Sequence, residues 1–241
     1  MSKTSDAPVW VVIPAAGSGS RMQTDKPKQY LEFQGSTVIE HCLDRLLSHP
    51  EVDGAVLVLS ESDQYWESLD YHAEKPLFIA TGGAERQDSV YSGLTLLQYR
   101  QGNDAIVLVH DAARPLVRHS DLDRLIQAAR THEAGALLAV PVADTLKVEG
   151  DNREVSGTMP REKLWRAQTP QAFHLQPLLN GLKRVLDQGV SVTDEAAAIE
   201  AAGYAPLLVE GSADNLKITV PADLLLAEQI WLHQRNQDDD E

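Results

Sequence analysis

Cysteine is almost missing from this chain. Cys42 alone among 241 residues leaves no partner for an intramolecular disulfide and no thiolate cluster for a structural zinc. It sits among apolar residues at helical spacing, which reads as a small core side chain rather than a nucleophile. Basic residues are scarce too, with 21 Lys and Arg against 36 Asp and Glu, a formal net charge of -15 and a pI near 4.9. Such a surface repels nucleic acid and anionic membranes in bulk, so neither is an expected partner. An anionic ligand would need the few cations gathered in one cleft. Long hydrophobic runs are also lacking: the longest are strand-length, far short of the roughly 20 residues of a membrane span. The opening residues Met1 to Pro8 carry neither an apolar signal core nor the arginines of a transit peptide, so the expected location is the cytoplasm.

What remains is globular. A composition of 43% hydrophobic and 24% charged residues is too apolar for a disordered chain and sufficient for a core without cross-links. The length suits one domain over residues 1–241. Val9 to Pro14, Ala55 to Ser60, Ala105 to His110 and Ala136 to Val142 are continuous apolar runs, as in strands buried on both faces of a parallel sheet. Leu77 to Ala80 and Pro206 to Val209 are weaker strand candidates. Amphipathic helices are expected between them, over Thr37 to His49, around Leu122, Leu125, Ile126 and Ala129, over Leu175 to Leu186, and over Pro221 to His233. The alternation predicts an α/β fold: an open, mostly parallel Rossmann-like sheet with helices on both faces and right-handed crossovers. One segment breaks it. Two short polar strands around Gly150-Asp151-Asn152, within about residues 143–165, read as a hairpin too polar to bury its own core. Such a protrusion is either a lid or an arm that grips a second subunit. The acidic end Asp238 to Glu241 reads as a solvated tail.

The strongest local signal follows the first strand, in Pro14-Ala15-Ala16-Gly17-Ser18-Gly19-Ser20-Arg21-Met22. Small residues there let the backbone approach a ligand and turn N–H groups on an anion, although a tight connection would look the same. A dinucleotide fingerprint would need a third glycine where Met22 stands, and a P-loop would need Gly-Lys followed by Ser or Thr. Instead Arg21, Lys26 and Lys28 fall within eight residues, a set suited to a triphosphate unless it is merely a solvated charged loop. His110-Asp111-Ala112-Ala113-Arg114-Pro115 ends a buried strand, where ligands of open α/β sheets bind. Its Asp111 could hold sugar hydroxyls or a nucleotide's Mg²⁺, or pair with Arg114 structurally. Gly82-Gly83-Ala84-Glu85-Arg86-Gln87-Asp88-Ser89-Val90 is a second glycine-bearing turn into a helix, able to meet a base edge or simply to connect. Thr145, Arg161, Thr169-Pro170-Gln171, Thr193-Asp194-Glu195 and Asp214-Asn215-Leu216-Lys217 are polar residues where apolar elements start or stop, and helix capping would account for Thr193.

Together, in order from Val9 to Pro221, these segments with Lys26-Pro27-Lys28-Gln29-Tyr30, Ala167 to Phe173 and Val192 to Ala196 resemble the 2-C-methyl-D-erythritol 4-phosphate cytidylyltransferase family. The first motif alone would indicate only a nucleotidyltransferase; the full set is specific. The resemblance implies the nucleotide-diphospho-sugar transferase type of sheet. It implies transfer of CMP from CTP to 2-C-methyl-D-erythritol 4-phosphate in non-mevalonate isoprenoid biosynthesis, with release of pyrophosphate. It further implies a homodimer joined through the hairpin arm, and Mg²⁺ bound mainly through the CTP phosphates, with no protein metal site.

Carried over position by position, Arg21 and Lys28 stabilise charge on the triphosphate. Pro14, Ala15, Ala16, Gly17, Gly19, Gly83, Ala84, Ser89 and Ala112 surround the nucleotide. Asp111, Arg114, Thr145, Arg161, Thr169, Thr193 and Lys217 surround the acceptor, with Arg161 and Lys217 positioning its phosphate. Ala84 stands where some members carry an acidic residue, which leaves cytosine selection to backbone groups and Ser89. A cytidylyltransferase for ribitol 5-phosphate, a non-catalytic CTP sensor and, more remotely, a dehydrogenase are the competing readings. The expected chemistry needs no Ser-His pair, because a phosphate monoester oxygen is already anionic. The difficulty is bringing two anions into line, which cations and N–H donors relieve.

Overall fold

The order of elements follows from where the apolar runs lie, in a computed structural model that describes residues 7–17 and 26–238. The strands are β1 (Val9–Pro14), β2 (Glu32–Phe33), β3 (Ser36–Thr37), β4 (Val52–Leu59), β5 (Leu77–Thr81), β6 (Ile106–Val109), β7 (Ala136–Pro141), β8 (Leu146–Glu149), β9 (Val155–Met159), β10 (Trp165–His174) and β11 (Leu207–Glu210). The helices are α1 (Val38–Leu47), α2 (Arg86–Gln101), α3 (His119–Thr131), α4 (Leu175–Asp187), α5 (Glu195–Ala201) and α6 (Pro221–Asp238). Gly19 and Arg21 of the first loop, and residues 239–241 of the acidic tail, lie outside the described residues.

Seven strands form one sheet in the order β11-β7-β10-β6-β1-β4-β5. All are parallel except β10, which runs antiparallel to both β6 and β7. Both faces are covered because successive residues of a strand point to opposite sides. From β1, Val9, Val11 and Ile13 pack with α1 and α3, whereas Trp10 and Val12 pack with α2, α4 and α5. The expected mostly parallel, two-faced α/β sheet is therefore the one observed.

Helix α1 starts where Thr37 and Glu40 cap each other, the Glu40 carboxylate accepting from the Thr37 N–H at 2.7 Å, worth about 1 kcal/mol. Cys42 lies fully buried on its inner face, and burial, first of all, pushes its thiol well above the ordinary range. That agrees with a core role. Helix α2 lies close on the sheet because of Gly93, where a Cβ would come within 2.7 Å of Val12 and Val58.

The structure differs from the sequence expectations in three places. Residues 167–173 are not the edge of an element but the interior of β10, whose pairing to β7 breaks between Ala167 and Gln171 around a proline that has no N–H to give the ladder. Thr193 does not cap α5; Asp194 does, its Oδ1 accepting from the Ala197 N–H at 3.0 Å. Trp165, placed at the end of the arm, belongs to β10. The hairpin itself is present as the separate pair β8–β9, and Leu146, Val148, Val155 and Met159 are exposed on it.

Candidate active site

The chain leaves β1 to build strands on one side of it and returns through β6 on the other, so a crevice opens beyond the carboxyl ends of these strands. A pocket of about 190 Å³ lies there, lined by residues 14–17, Lys28, Gln29, residues 83–86, Ser89, residues 111–113 and Lys217. The exit of β1 is tied down on two sides. The Ala15 N–H donates to the Val58 carbonyl at 2.8 Å, and the buried Gln29 amide donates to the Ala15 and Gly17 carbonyls at 2.7 and 3.2 Å. From the same short turn, residues 28–30, the Lys28 ammonium reaches the Ile218 carbonyl at 3.0 Å.

The turn before α2 forms the opposite wall. At Gly82 a Cβ would fall 2.6 Å from the Ala16 Cβ and 2.7 Å from the Ser89 Oγ, so only glycine lets the two loops meet. Ser89 is buried, and its hydroxyl is committed to the turn: it accepts from the Gly83 N–H at 3.2 Å and donates to the Glu85 carbonyl at 3.2 Å.

Charge is concentrated on the pocket floor. The buried Asp111 carboxylate takes Lys217 Nζ at 2.7 Å and Arg114 Nε at 3.7 Å on Oδ2, and Arg86 Nε at 3.2 Å on Oδ1. Burial alone would raise its pKa; Arg86, then Lys217 and Arg114, outweigh burial and hold it well below the usual carboxylate range. Arg86 also forks onto both oxygens of Glu195, at 2.6 and 3.1 Å. Burial opposes its charge, yet Glu195 and Asp111 hold it above the ordinary guanidinium value.

Behind this floor, Arg114 Nη1 donates to the Asn215 carbonyl at 2.7 Å, and the Asn215 amide donates to the Thr169 carbonyl at 2.8 Å. Thr169 Oγ1 accepts from the Asp111 N–H at 3.0 Å. The break in β10 thus places Thr169 where it steadies Asp111.

Sequence and structure comparisons agree on what carries such a pocket. The profile of the 2-C-methyl-D-erythritol 4-phosphate cytidylyltransferase (IspD) family matches residues 9–233. The chain belongs to that family. The 2-C-methyl-D-erythritol 4-phosphate cytidylyltransferase of Pseudomonas paraeruginosa is 53% identical over 232 residues, 95% of this chain and 99% of that one. The crystal structure of the Francisella tularensis cytidylyltransferase superposes with a TM-score of 0.81 at 34% identity, covering 93% of this chain and 100% of that chain. That of the Thermus thermophilus enzyme gives 0.75 at 31%, covering 92% and 98%. This cytidylyltransferase accordingly transfers CMP from CTP to 2-C-methyl-D-erythritol 4-phosphate in isoprenoid biosynthesis, which decides against the ribitol phosphate, sensor and dehydrogenase readings. Among the described residues, no helix is long and apolar enough to cross a membrane.

Of the residues singled out in the sequence, Pro14, Ala15, Ala16, Gly17, Lys28, Gly83, Ala84, Ser89, Asp111, Ala112 and Lys217 line one pocket of the cytidylyltransferase. Arg114 and Thr169 stand behind it rather than on its wall. Thr145 and Arg161, at the two ends of the arm, and Thr193 are exposed and outside the lining. Gln29, Arg86 and Glu195 were not assigned roles from sequence. All three sat inside quoted motifs, but their partners are distant in the chain.

His110, also in a quoted motif, is a buried structural group. It lies 2.9 Å from the Arg114 carbonyl and 3.2 Å from Thr169 Oγ1, and burial lowers its imidazole to about 4. An imidazole held neutral in the fold binds its proton only on unfolding, so it stabilises the protein fully above roughly pH 6.5 and loses that contribution as pH falls toward 4. The whole term is about 3 kcal/mol, and about 2 kcal/mol of it is gone by pH 5. Urea unfolding at pH 7 and pH 5 is expected to show a smaller pH-induced drop in His110→Gln than in the native protein; equal drops would contradict this.

Proposed function

We propose that the cations of this pocket divide the transfer reaction between them. Arg21 and Lys28 neutralise the CTP triphosphate and the departing pyrophosphate, while Lys217 and Arg161 hold the acceptor phosphate in line with the α-phosphorus. The observation that carries this reading is the convergence of Lys28 and Lys217: Lys28 Nζ bonds the carbonyl of the residue that follows Lys217, and both line the pocket in a chain of net charge -15. Residues 14–17, Gly19, Gly83, Ala84 and Ala112 bring backbone close to the nucleotide. With Ser89 turned onto its own loop, selection of cytosine falls on backbone groups. Asp111 and Lys217, backed by Arg114 and Thr169, and Thr145 and Thr193 bind the acceptor. No general base is required, and the neutral, buried His110 is not placed to be one.

Magnesium fits as an ion delivered by the nucleotide. Among the described residues no group of three His, Cys, Asp or Glu side chains could cage a metal, and both Asp111 oxygens already face cations. The CTP phosphates would hold it, and when bound it supplies further neutralisation of their charge.

The arm reaches a second subunit. Apolar Leu146, Val148, Val155 and Met159 are bare on a two-stranded ribbon, a form of low stability by itself, and a homodimer would cover them. Residues 1–241 then act as one nucleotidyltransferase domain with a dimerisation arm at about residues 143–165, working in the cytoplasm.

Arg161→Ala is expected to raise KM for 2-C-methyl-D-erythritol 4-phosphate about tenfold with little effect on KM for CTP. If each arm serves its partner's site, mixing Arg161→Ala with Lys28→Ala protein leaves one intact site in every hybrid dimer. Assayed with the acceptor far below its KM, equal amounts should then recover about a quarter of native activity by random pairing. Activity no greater than the mean of the two variants would place Arg161 in its own subunit's site or in none.

A further inference from the structure

Glu195 is buried, does not line the pocket, and yet faces it through one side chain. Both its oxygens accept from the Arg86 fork, Oε1 from Nη1 at 2.6 Å and Oε2 from Nη2 at 3.1 Å. A bidentate fork fixes the plane of the guanidinium. Of the three N–H groups this leaves, the one on Nε points to Asp111 Oδ1 at 3.2 Å, and Oδ2 is left for Lys217 at 2.7 Å.

Glu195 has its own anchor. It is the first residue of α5, whose cap Asp194 accepts from the Gln171 amide of β10 at 2.9 Å, while Gln171 Oε1 accepts from the Ala196 N–H at 2.8 Å. A chain of fixed contacts thus runs from the centre of the sheet to the Lys217 ammonium.

Stability is a poor explanation for this pair. A buried ion pair rarely improves on an apolar pair of the same shape, because both charges lose their hydration. Orientation is a better one. Without Glu195 the Arg86 fork, which lines the pocket, could turn onto Asp111 with two N–H groups and compete with Lys217 for the carboxylate. Lys217 carries a point charge on a flexible stem and takes its place from the anion beside it.

We propose that Glu195 is a positioning residue for CMP transfer, acting through the Arg86 fork to fix the Asp111 carboxylate and, through it, the Lys217 ammonium that receives the acceptor phosphate. This rests on the role given to Lys217 above.

The test is a kinetic cycle on the full chain. Glu195→Gln keeps size and removes charge; Arg86→Lys keeps charge and removes the fork. Each is expected to lower kcat/KM for 2-C-methyl-D-erythritol 4-phosphate by on the order of 10- to 100-fold, the penalty of a misplaced reacting group, with KM for CTP within about threefold. Added to Lys217→Ala, Glu195→Gln should cost nothing more beyond about threefold, because residues acting through one another are not additive.

Losses that multiply in the double variant, or a Glu195→Gln enzyme with native kinetics beside a crippled Lys217→Ala, would overturn the inference and leave the role of Lys217 standing. A Lys217→Ala enzyme with native kinetics would overturn both. Failure of Glu195→Gln and Arg86→Lys alike to fold would assign the pair to stability and also overturn it.

Discussion

Lys28→Ala is expected to lower kcat by on the order of 10²-fold or more, with the fold intact. In a transfer between two anions the barrier is dominated by charge and alignment, and removing one preorganised donor from such a site has an effect of that size. The turn that carries Lys28 is held by other means. The Tyr30 N–H donates to the Pro27 carbonyl at 2.9 Å, and the buried Tyr30 gives its hydroxyl proton to Asp63 at 2.7 Å. Lys28 is half-buried and its substitution gives up the bond to the Ile218 carbonyl, so unfolding should shift by about 1–2 kcal/mol, too little to lose the fold. Arginine at this position keeps the charge and should retain more activity than alanine. Native pyrophosphate release from CTP by purified Lys28→Ala would remove Lys28 from the reaction.

Asp111→Asn is expected to damage stability and turnover together. The carboxylate is the common anion of Arg86, Lys217 and Arg114, and breaking a buried charge set by removing one member costs about 3 kcal/mol. For a chain of this length that is roughly 6–12 °C in Tm. Because the folded carboxyl sits below its unfolded value, its contribution is present above the unfolded pKa and is lost only as pH falls through and below the usual carboxylate range. The stability gap between native and variant protein should stay constant from about pH 8 to about pH 5 and narrow below about pH 4. Denaturant titrations across that range check both the gap and its shape. A variant as stable as the native protein at pH 7 would show that Lys217 and Arg86 do not depend on Asp111.

The central strands were legible because they are buried on both faces and leave unbroken apolar runs, as in β1, β4, β6 and β7. Strands β5 and β11 gave weaker signals for the converse reason: they are the sheet's edges, and Ile79, Leu207 and Leu208 remain exposed. Strand β10 went unread, since Gln168, Thr169 and Gln171 interrupt its apolar pattern. Those polar groups are buried and bonded to Ser212, Asp111 and Asp194 respectively, pairings that no local pattern displays. The same holds at the site. Glycines, small residues and nearby cations at a strand exit single out in the sequence a turn whose residues 14–17, with Lys28, line the pocket. The Arg86–Glu195 fork joins residues 109 positions apart, so its meaning emerges only when β10 and α5 bring Glu195 under the pocket.

A crystal of this chain grown with CTP and magnesium bears most directly on the reaction. Cytosine is expected against the turn at Gly83 and Ala84, and the triphosphate along residues 14–17 within reach of Lys28. Electron density that put the nucleotide away from Gly17 and Lys28 would contradict the assignment of the pocket and every residue role that depends on it.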